Sequence, residues 1–507
     1  MSAPGPDLSA QRTVIAGGLW RAASTLFPMV SALVLSVAIS RVLGVQALGL
    51  QSLVSYVQAL VLTTAVLSLT QASIQVLASA GGAGDGRSLY WLSRWSMAAH
   101  AVVGVVIAGV MLLVGLLRDD PFGLWAVIAL TALVDAISYG LTVRMVAREG
   151  WAAVSQRRLV SQILGPLCGL AALLLGGGIT GVFVGQGLGS SFLLVSLVTA
   201  ARRLPRPASQ GDRVPWRPVA RLWLTFVLSL LLTQIVERRV ELLFLETFSG
   251  TRQVAMYSAA FTLVSVAVTA SAAVTGAAMP AVAAAARERG ADGVSDLLGH
   301  PLRILVVTSL VLVAGFLALG PSAVLALYGS AFGDAGRLIR PLAVTLLLAP
   351  LSGALATYWA GIGSLRPLLV AGGAGAVVDL GLCLTLVPAV GAPGAVLANL
   401  GAAASYAAVL WWRSRIQLGG AFPRPTWLLR SAAVAAAAGL VSALPALFLT
   451  PWAAVVLGAV CFAGVVVLLA PQLGLVPEED CSWLAGLLPS AAGPVVARLA
   501  RPRPAVG

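Results

Sequence analysis

Of the 507 residues, 59% are hydrophobic and only 10% are charged, against about 25% charged in soluble domains, and the mean hydropathy is +0.96. These values exclude a soluble globular protein and point to an all-α, polytopic membrane protein. The net charge of +14 comes from 32 basic residues, every one an arginine; because these flank apolar stretches, they report membrane orientation and imply no nucleic-acid partner.

A membrane span needs about 20 apolar residues. Fourteen stretches qualify, at residues 22–40, 48–68, 95–117, 122–142, 159–177, 180–200, 222–246, 256–280, 302–320, 341–361, 367–387, 395–412, 431–450 and 452–471. An even count places both termini on one side, and the arginines identify it. Arg12, Arg21, Arg94, Arg144, Arg158, Arg217, Arg289 and Arg415 share the side of the N-terminus, whereas the other side receives only Arg41, Arg118, Arg252, Arg337 and Arg340. By the positive-inside rule both termini are cytoplasmic, in a plasma membrane whose anionic lipids face the arginine-rich loops.

In chain order, residues 1–21 form a cytoplasmic N-terminus ahead of an uncleaved first helix, in which Pro28 removes a backbone hydrogen bond and predicts a bend. Residues 22–200 make a six-span N-lobe. Its fourth span carries Thr131, Asp135, Ser138, Tyr139 and Thr142 at helical spacing. That polar stripe suits either a cavity or hydrogen bonding between helices, and Asp135 is the member whose burial in lipid most needs a reason. His100 and the neighbouring arginines carry no motif. The arginine- and proline-rich segment 201–221 is a cytoplasmic linker, and 222–412 make a C-lobe of six more spans. The lobes echo each other: Gly44, Gly49, Leu50 and Ser52 enter the second span as Gly250, Ala255, Met256 and Ser258 enter the eighth, the pattern of parallel repeats.

The seventh span, read as one helix over 222–246, places Gln234, Glu237, Arg238 and Glu241 at i, i+3, i+4 and i+7, beside Arg239. A charge at bilayer depth costs about 2.5–3.5 kcal/mol on insertion scales, so this face is the leading candidate for substrate binding or ion coupling. The alternative is a salt bridge of Arg238 with Glu241 or Glu237. Asp379, in the eleventh span, stands without a polar stripe and is read as protonated, cation-paired or ion-coupling. Residues 413–471 add a linker and two further spans, and 472–507 form a cytoplasmic tail. Trp20 and Trp411-Trp412 sit where interfacial anchors belong. Two histidines and four widely spaced cysteines offer no metal set or disulfide framework, and no cofactor is expected.

Three segments carry a family resemblance. Arg41-Val-Leu-Gly44-Val-Gln-Ala-Leu-Gly49 follows the first helix, Tyr328-Gly329-Ser-Ala-Phe332 precedes the tenth, and Val387-Pro388-Ala-Val-Gly391-Ala-Pro-Gly394-Ala395 joins the eleventh to the twelfth. Together they resemble the polysaccharide-exporting branch of the multidrug/oligosaccharidyl-lipid/polysaccharide flippase superfamily. The resemblance implies a non-enzymatic flippase that moves a polyprenyl-diphosphate-linked oligosaccharide from the cytoplasmic to the outer leaflet between two six-helix lobes, alongside other membrane proteins of polysaccharide assembly. It would meet the diphosphate with Arg238 or Arg239, couple through Glu237, Glu241, Asp135 or Asp379 to a proton or sodium gradient, and use the Pro28 bend in gating. Two other classes compete. A cation-coupled multidrug exporter of the same superfamily usually carries an acid in its first helix, which residues 22–40 lack. A membrane-embedded glycosyl- or phosphotransferase would need clustered cytoplasmic acids, and Asp85, Glu149 and Asp212 are scattered singly.

Overall fold

The computed structural model describes residues 27–82, 86–118, 120–149, 151–203, 216–236, 239–277, 279–418, 425–473 and 480. Among them the chain is helical and contains no strand. The helices are α1 (Phe27–Leu43), α2 (Val45–Val61), α3 (Ser68–Gly82), α4 (Gly86–Leu117), α5 (Phe122–Glu149), α6 (Trp151–Leu174), α7 (Gly178–Arg203), α8 (Trp216–Val236), α9 (Glu241–Ser249), α10 (Thr251–Ala277), α11 (Met279–Tyr328), α12 (Gly333–Ala343), α13 (Thr345–Gly361), α14 (Arg366–Val390), α15 (Ala392–Leu418), α16 (Pro425–Ala443) and α17 (Pro451–Leu473).

Among the described residues the apolar stretches fall on helix, apart from short breaks such as the turn at Arg239 and Val240 and the last residues, 448–450, of the thirteenth stretch. Among the described residues ten helices are long and apolar enough to span a bilayer, and the bent pair α12 and α13, kinked by 41°, makes an eleventh. The protein is therefore a polytopic, all-α membrane protein. Its exposed leucines and valines, such as Val102, Leu116, Leu174 and Val467, suit contact with lipid, which does not penalise them as water does.

Three elements differ from the sequence expectation. The stretch at 48–68 belongs to a longer span, Val45–Leu77, interrupted by a π-helical turn over Leu62–Leu67. The charged stretch between the eighth and ninth spans is helical, because α11 runs unbroken from Met279 to Tyr328. The expected seventh span is broken: α8 stops at Val236, Arg239 and Val240 lie in a turn, and Glu241 opens α9. Glu241 thereby gains a place in the first turn of a helix, where the unpaired amides and the helix dipole favour a carboxylate.

Two compact units emerge, one from Val30 to Leu242 and one from Leu243 onward that also takes in the chain up to Met29. The division falls beside the helix break, and not in the 201–221 segment expected to join the lobes. The cause is local: α8 belongs to the first unit, where Val219, Leu222, Trp223 and Phe226 pack with Leu69, Ala72, Leu77 and Val143. Within this unit α6 and α7 run so close that a β-carbon on Gly185 would sit 2.1 Å from the Gly169 amide nitrogen. Ser161 bridges the same pair by donating to the Gly189 carbonyl at 2.7 Å.

Each unit repeats one local device. Gly44, ahead of α2, has φ +85°, and Gly250, ahead of α10, has φ +82°. A side chain would be strained at this left-handed backbone, so glycine turns the chain into the helix that follows. Gly49 and Ala255 are both buried, as are Ser52 and Ser258. In the second unit the α9–α10 turn is pinned to the α14–α15 turn, with Ser249 donating to the Val387 carbonyl and Gln253 accepting from the Ala392 amide, both at 3.4 Å.

Candidate functional site

Three helices of the first unit converge on Asp135. The carboxylate, on α5, is hydrogen-bonded by the Ser190 side chain of α7 and lies in the field of Arg158 from α6. The Arg158 guanidinium sits over the Tyr139 ring, 4.5 Å from its centre. Tyr139 stands one turn after Asp135, so α5 presents an acid and an aromatic face side by side to the cation. Arg158 thus meets the Asp135 charge and the Tyr139 ring with the one planar group that carries five N–H donors. Sequence alone places Arg158 among the cytoplasmic flanking charges and does not single out Ser190. A signal for both was present: an arginine within the apolar run 154–174, and a hydroxyl one turn from glycines that permit close helix contact.

The neutral members of the α5 stripe turn inward on their own helix. Thr131 donates to Val127 O at 2.8 Å, Ser138 to Val134 O at 2.8 Å and Thr142 to Ser138 O at 2.9 Å. They are satisfied without another helix, so Asp135 and Tyr139 are the chemically distinctive members of the stripe.

The broken span separates the residues expected to form one face. Gln234 is buried on α8, and its amide nitrogen lies 3.4 Å from the Ala59 carbonyl of α2. Glu241 is fully buried at the start of α9, and Arg239 is half-buried in the turn before it. Gln234 and Glu241 therefore share no continuous helix, and the i, i+7 relation between them is lost. Glu237 and Arg238 lie outside the described residues. Broken helices at membrane depth are tolerated where neighbouring protein or a polar cavity serves the freed backbone groups.

Trp223 docks α8 onto the π-helical turn, and Gln234 onto the end of α2 just ahead of it. The wider winding of a π turn disturbs the regular i+4 ladder, and side chains meet the carbonyls it presents. Thr64 donates to Leu60 O at 2.6 Å, Ser68 donates to Thr64 O, and the Trp223 indole reaches Ala65 O at 3.1 Å and the Ser68 hydroxyl at 2.9 Å. Behind this turn His100, fully buried on α4, is bound by Thr70 at 2.9 Å and by the Ser96 carbonyl at 2.6 Å. Nothing in the spacing of His100 pointed to that network.

In the second unit Asp379 is fully buried on α14. One carboxylate oxygen lies 3.7 Å from the Cys383 sulfur, and the other has no hydrogen-bond partner among the described residues. Among the described residues no group of three potential ligands is poised for a metal ion.

The motif segments prove to be turn hardware. Gly329 has φ +99°, and Tyr328 packs its ring 5.4 Å from that of Phe332 across the turn. Gly391 also has positive φ, and a β-carbon on Gly394 would meet the Leu386 carbonyl at 2.6 Å.

Comparison with known proteins accords with this architecture. No curated protein sequence matches the chain. Among solved structures, the lipid II flippase MurJ in an inward closed conformation aligns with TM-score 0.71 at 12% identity, covering 90% of this chain and 98% of its own. A multidrug resistance MATE family transporter of the MOP superfamily, inward-facing, aligns with TM-score 0.66 at 17% identity over 80% of this chain and 98% of its own. A MOP superfamily transporter from Pyrococcus furiosus, described as having a binding pocket of reversed polarity, aligns with TM-score 0.54 at 16% identity over 81% and 97%. At these identities the likeness establishes the fold. The family model for polysaccharide biosynthesis protein matches residues 26–336, more than half of the sequence, and the chain accordingly belongs to the polysaccharide biosynthesis protein family.

Proposed function

We propose that this protein carries a polyprenyl-diphosphate-linked oligosaccharide from the cytoplasmic to the outer leaflet of the plasma membrane, with both termini in the cytoplasm. The match to the polysaccharide biosynthesis family over residues 26–336 carries the reading, and the fold shared with a lipid flippase supports a lipid-linked cargo. Such a head group must leave water and cross about 30 Å of hydrocarbon. It needs cations for its phosphates, and arginine meets phosphate oxygens in pairs through its planar fork.

Arg158 joins Arg238 and Arg239 as a group for the diphosphate, because it lies beside Asp135 and Tyr139 in a span of the first unit and stands near the cytoplasmic end of that span. Asp135, Glu237, Glu241 and Asp379 are the coupling carboxylates, driven by a proton or sodium gradient, and Gln234 steadies the helix ahead of the break. Anionic lipids and other membrane proteins of polysaccharide assembly are the surrounding partners.

The test is transport in cells depleted of the protein and supplied with single variants. Arg158→Gln and Arg239→Gln should leave folded protein in the membrane while the lipid-linked glycan accumulates in the cytoplasmic leaflet. Normal export by both variants, or a defect explained entirely by lost protein, overturns the phosphate-binding role. The likeness to multidrug transporters favours one rival, a cation-coupled exporter. Under that reading depletion raises sensitivity to lipophilic cations and leaves the lipid-linked glycan at its normal level.

A further inference from the structure

His100 occupies a site that accepts two protonation states without moving a heavy atom. Its Nδ1 lies 2.6 Å from the Ser96 carbonyl oxygen, a contact that requires Nδ1 to carry a hydrogen. Its Nε2 lies 2.9 Å from the Thr70 hydroxyl, and the Val66 carbonyl is also within hydrogen-bonding reach of the ring. Thr70 has one hydrogen and two claimants, since its oxygen also lies 3.0 Å from Val66 O. With a neutral ring, Thr70 donates to Nε2. When a proton from water binds Nε2, that bond reverses: Nε2–H donates to the Thr70 oxygen, and the Thr70 hydrogen passes to Val66 O. Val66 belongs to the π-helical turn, so the proton on α4 is reported to the segment on which α8 docks.

The neighbours leave room for this and do not compete for the ring. Gly140 of α5 faces it, and a β-carbon there would sit 3.1 Å from the His100 β-carbon. The Ser96 hydroxyl lies 3.3 Å from Nδ1 and donates to Ser73 of α3 at 3.2 Å. The π turn and α3 carry no titratable or charged side chain; on α5 the nearest are Asp135, Tyr139 and Arg144, on α4 Arg94, and on α8 Arg217 and Arg221. Among the described residues the buried ring is held by Thr70 and by the Ser96 and Val66 carbonyls, with no ionic partner.

We propose that His100 is a proton-binding site whose occupancy is relayed through Thr70 to the Val66 carbonyl of the π-helical turn, giving the first unit a coupling group distinct from Asp135. This deepens the coupling half of the flippase reading and rests on it, yet its chemistry can be read on the protein alone. The chain has two histidines, so His300→Gln leaves His100 as the sole imidazole. The variant is reconstituted in lipid bilayers with 15N-histidine and 13C-labelled valine carbonyls, and solid-state NMR spectra are taken from about pH 8 to about pH 3, a range wide enough for a fully buried imidazole. The expected result is a neutral Nδ1–H ring that gives way to imidazolium, with the Val66 carbonyl signal moving at the same midpoint.

In Thr70→Val the ring should still titrate while the Val66 shift shrinks to what its direct contact with the ring supplies; Thr70→Ser should restore its full size. Should His300→Gln fail to fold, the difference between unmodified protein and His100→Gln supplies the same signals. A ring that stays neutral throughout, an Nε2–H tautomer at high pH, or a Val66 signal that ignores the ring overturns the site. Because no substrate enters the measurement, each of those results leaves the flippase reading standing, whereas normal glycan export after loss of the protein would remove that reading and leave the titration untouched.

Discussion

Replacing Gly185 by alanine should separate α6 from α7, and the structure sets the scale of the damage. The added β-carbon would lie 2.1 Å from the Gly169 nitrogen and 2.4 Å from its α-carbon, both backbone atoms that no rotamer change can move. Ordinary contacts between such atoms fall at about 3.5–4.0 Å, so the helices must part by more than about 1 Å, forfeiting a quarter to a half of the dispersion well along their contact. Overpacking of this kind costs about 1–3 kcal/mol, and losing the bond from Ser161 to Gly189 O adds about 1 kcal/mol. Gly109 supplies the control: it is exposed on α4, a β-carbon there would meet nothing within 4 Å, and Gly→Ala in a helix gains about 0.5–1 kcal/mol. Heating detergent-solubilised protein and measuring the monodisperse fraction by size exclusion should show Gly109→Ala at or above the unmodified protein and Gly185→Ala well below it. Equal thermal stability for the two variants would refute the close approach of α6 and α7. Transport adds a second readout, since α6 carries Arg158 and α7 carries Ser190, and a displaced pair would no longer frame Asp135.

Other substitutions test separate parts of the argument. Trp223→Phe keeps the ring but removes the donor to Ala65 O and Ser68, leaving the π turn short of a partner at about 1–3 kcal/mol; denaturant midpoints should fall, and an unchanged midpoint would mean that α8 does not brace the turn. Gly44→Ala and Gly250→Ala place a side chain at φ +85° and +82°, a strain of about 1–3 kcal/mol, and should lower thermal stability to similar extents. In the second unit, buried Asp480 receives Arg303 Nε at 2.8 Å and Nη2 at 2.5 Å. Asp480→Asn strips the charge from that fork, and breaking a buried pair costs about 3–5 kcal/mol. Limited proteolysis should then cut beyond residue 473 faster, and an unchanged rate would show that the pair does not hold this part of the chain.

The spans were legible because the lipid-facing helices are apolar over lengths that the bilayer itself imposes. Helix breaks were not. Residues 222–246 satisfy the same length rule as their neighbours, and the interruption between Val236 and Glu241 depends on where α8 finds partners, namely the carbonyls around a π turn that periodicity cannot reveal. Asp135 could be singled out because a lone carboxylate in lipid is costly wherever it points. Its partners could not: Ser190 and Arg158 reach it only through the close approach of three helices, and a single arginine near a span end looks the same in sequence whether it snorkels to the interface or lies over a tyrosine. The motif glycines gave away the family because turns with positive φ tolerate few substitutes. Such positions preserve the path of the chain, which is why they identify the fold without naming the cargo.

Cargo recognition must therefore be tested at charges within the spans, and Asp135 offers a decisive sign. If Arg158 serves the diphosphate, Asp135 competes with the substrate for the same guanidinium. Removing its charge by Asp135→Asn preserves the shape and the hydrogen bond from Ser190 while freeing the cation, so anion binding should tighten. For a half-buried charge interaction worth about 1 kcal/mol the change is about fivefold. Arg158→Gln should weaken binding, and Arg158→Lys should restore charge but not the paired hydrogen bonds. The double substitution should bind no better than Arg158→Gln alone, because the benefit of removing the acid exists only while the arginine is present. Native mass spectrometry with a short-chain polyprenyl diphosphate measures the four variants beside the unmodified protein, with phosphatidylglycerol as the competing anionic lipid. A gain in affinity from Asp135→Asn that survives in the double variant would refute Arg158 as the phosphate group, and an equal response to phosphatidylglycerol would reduce the site to an interfacial lipid anchor.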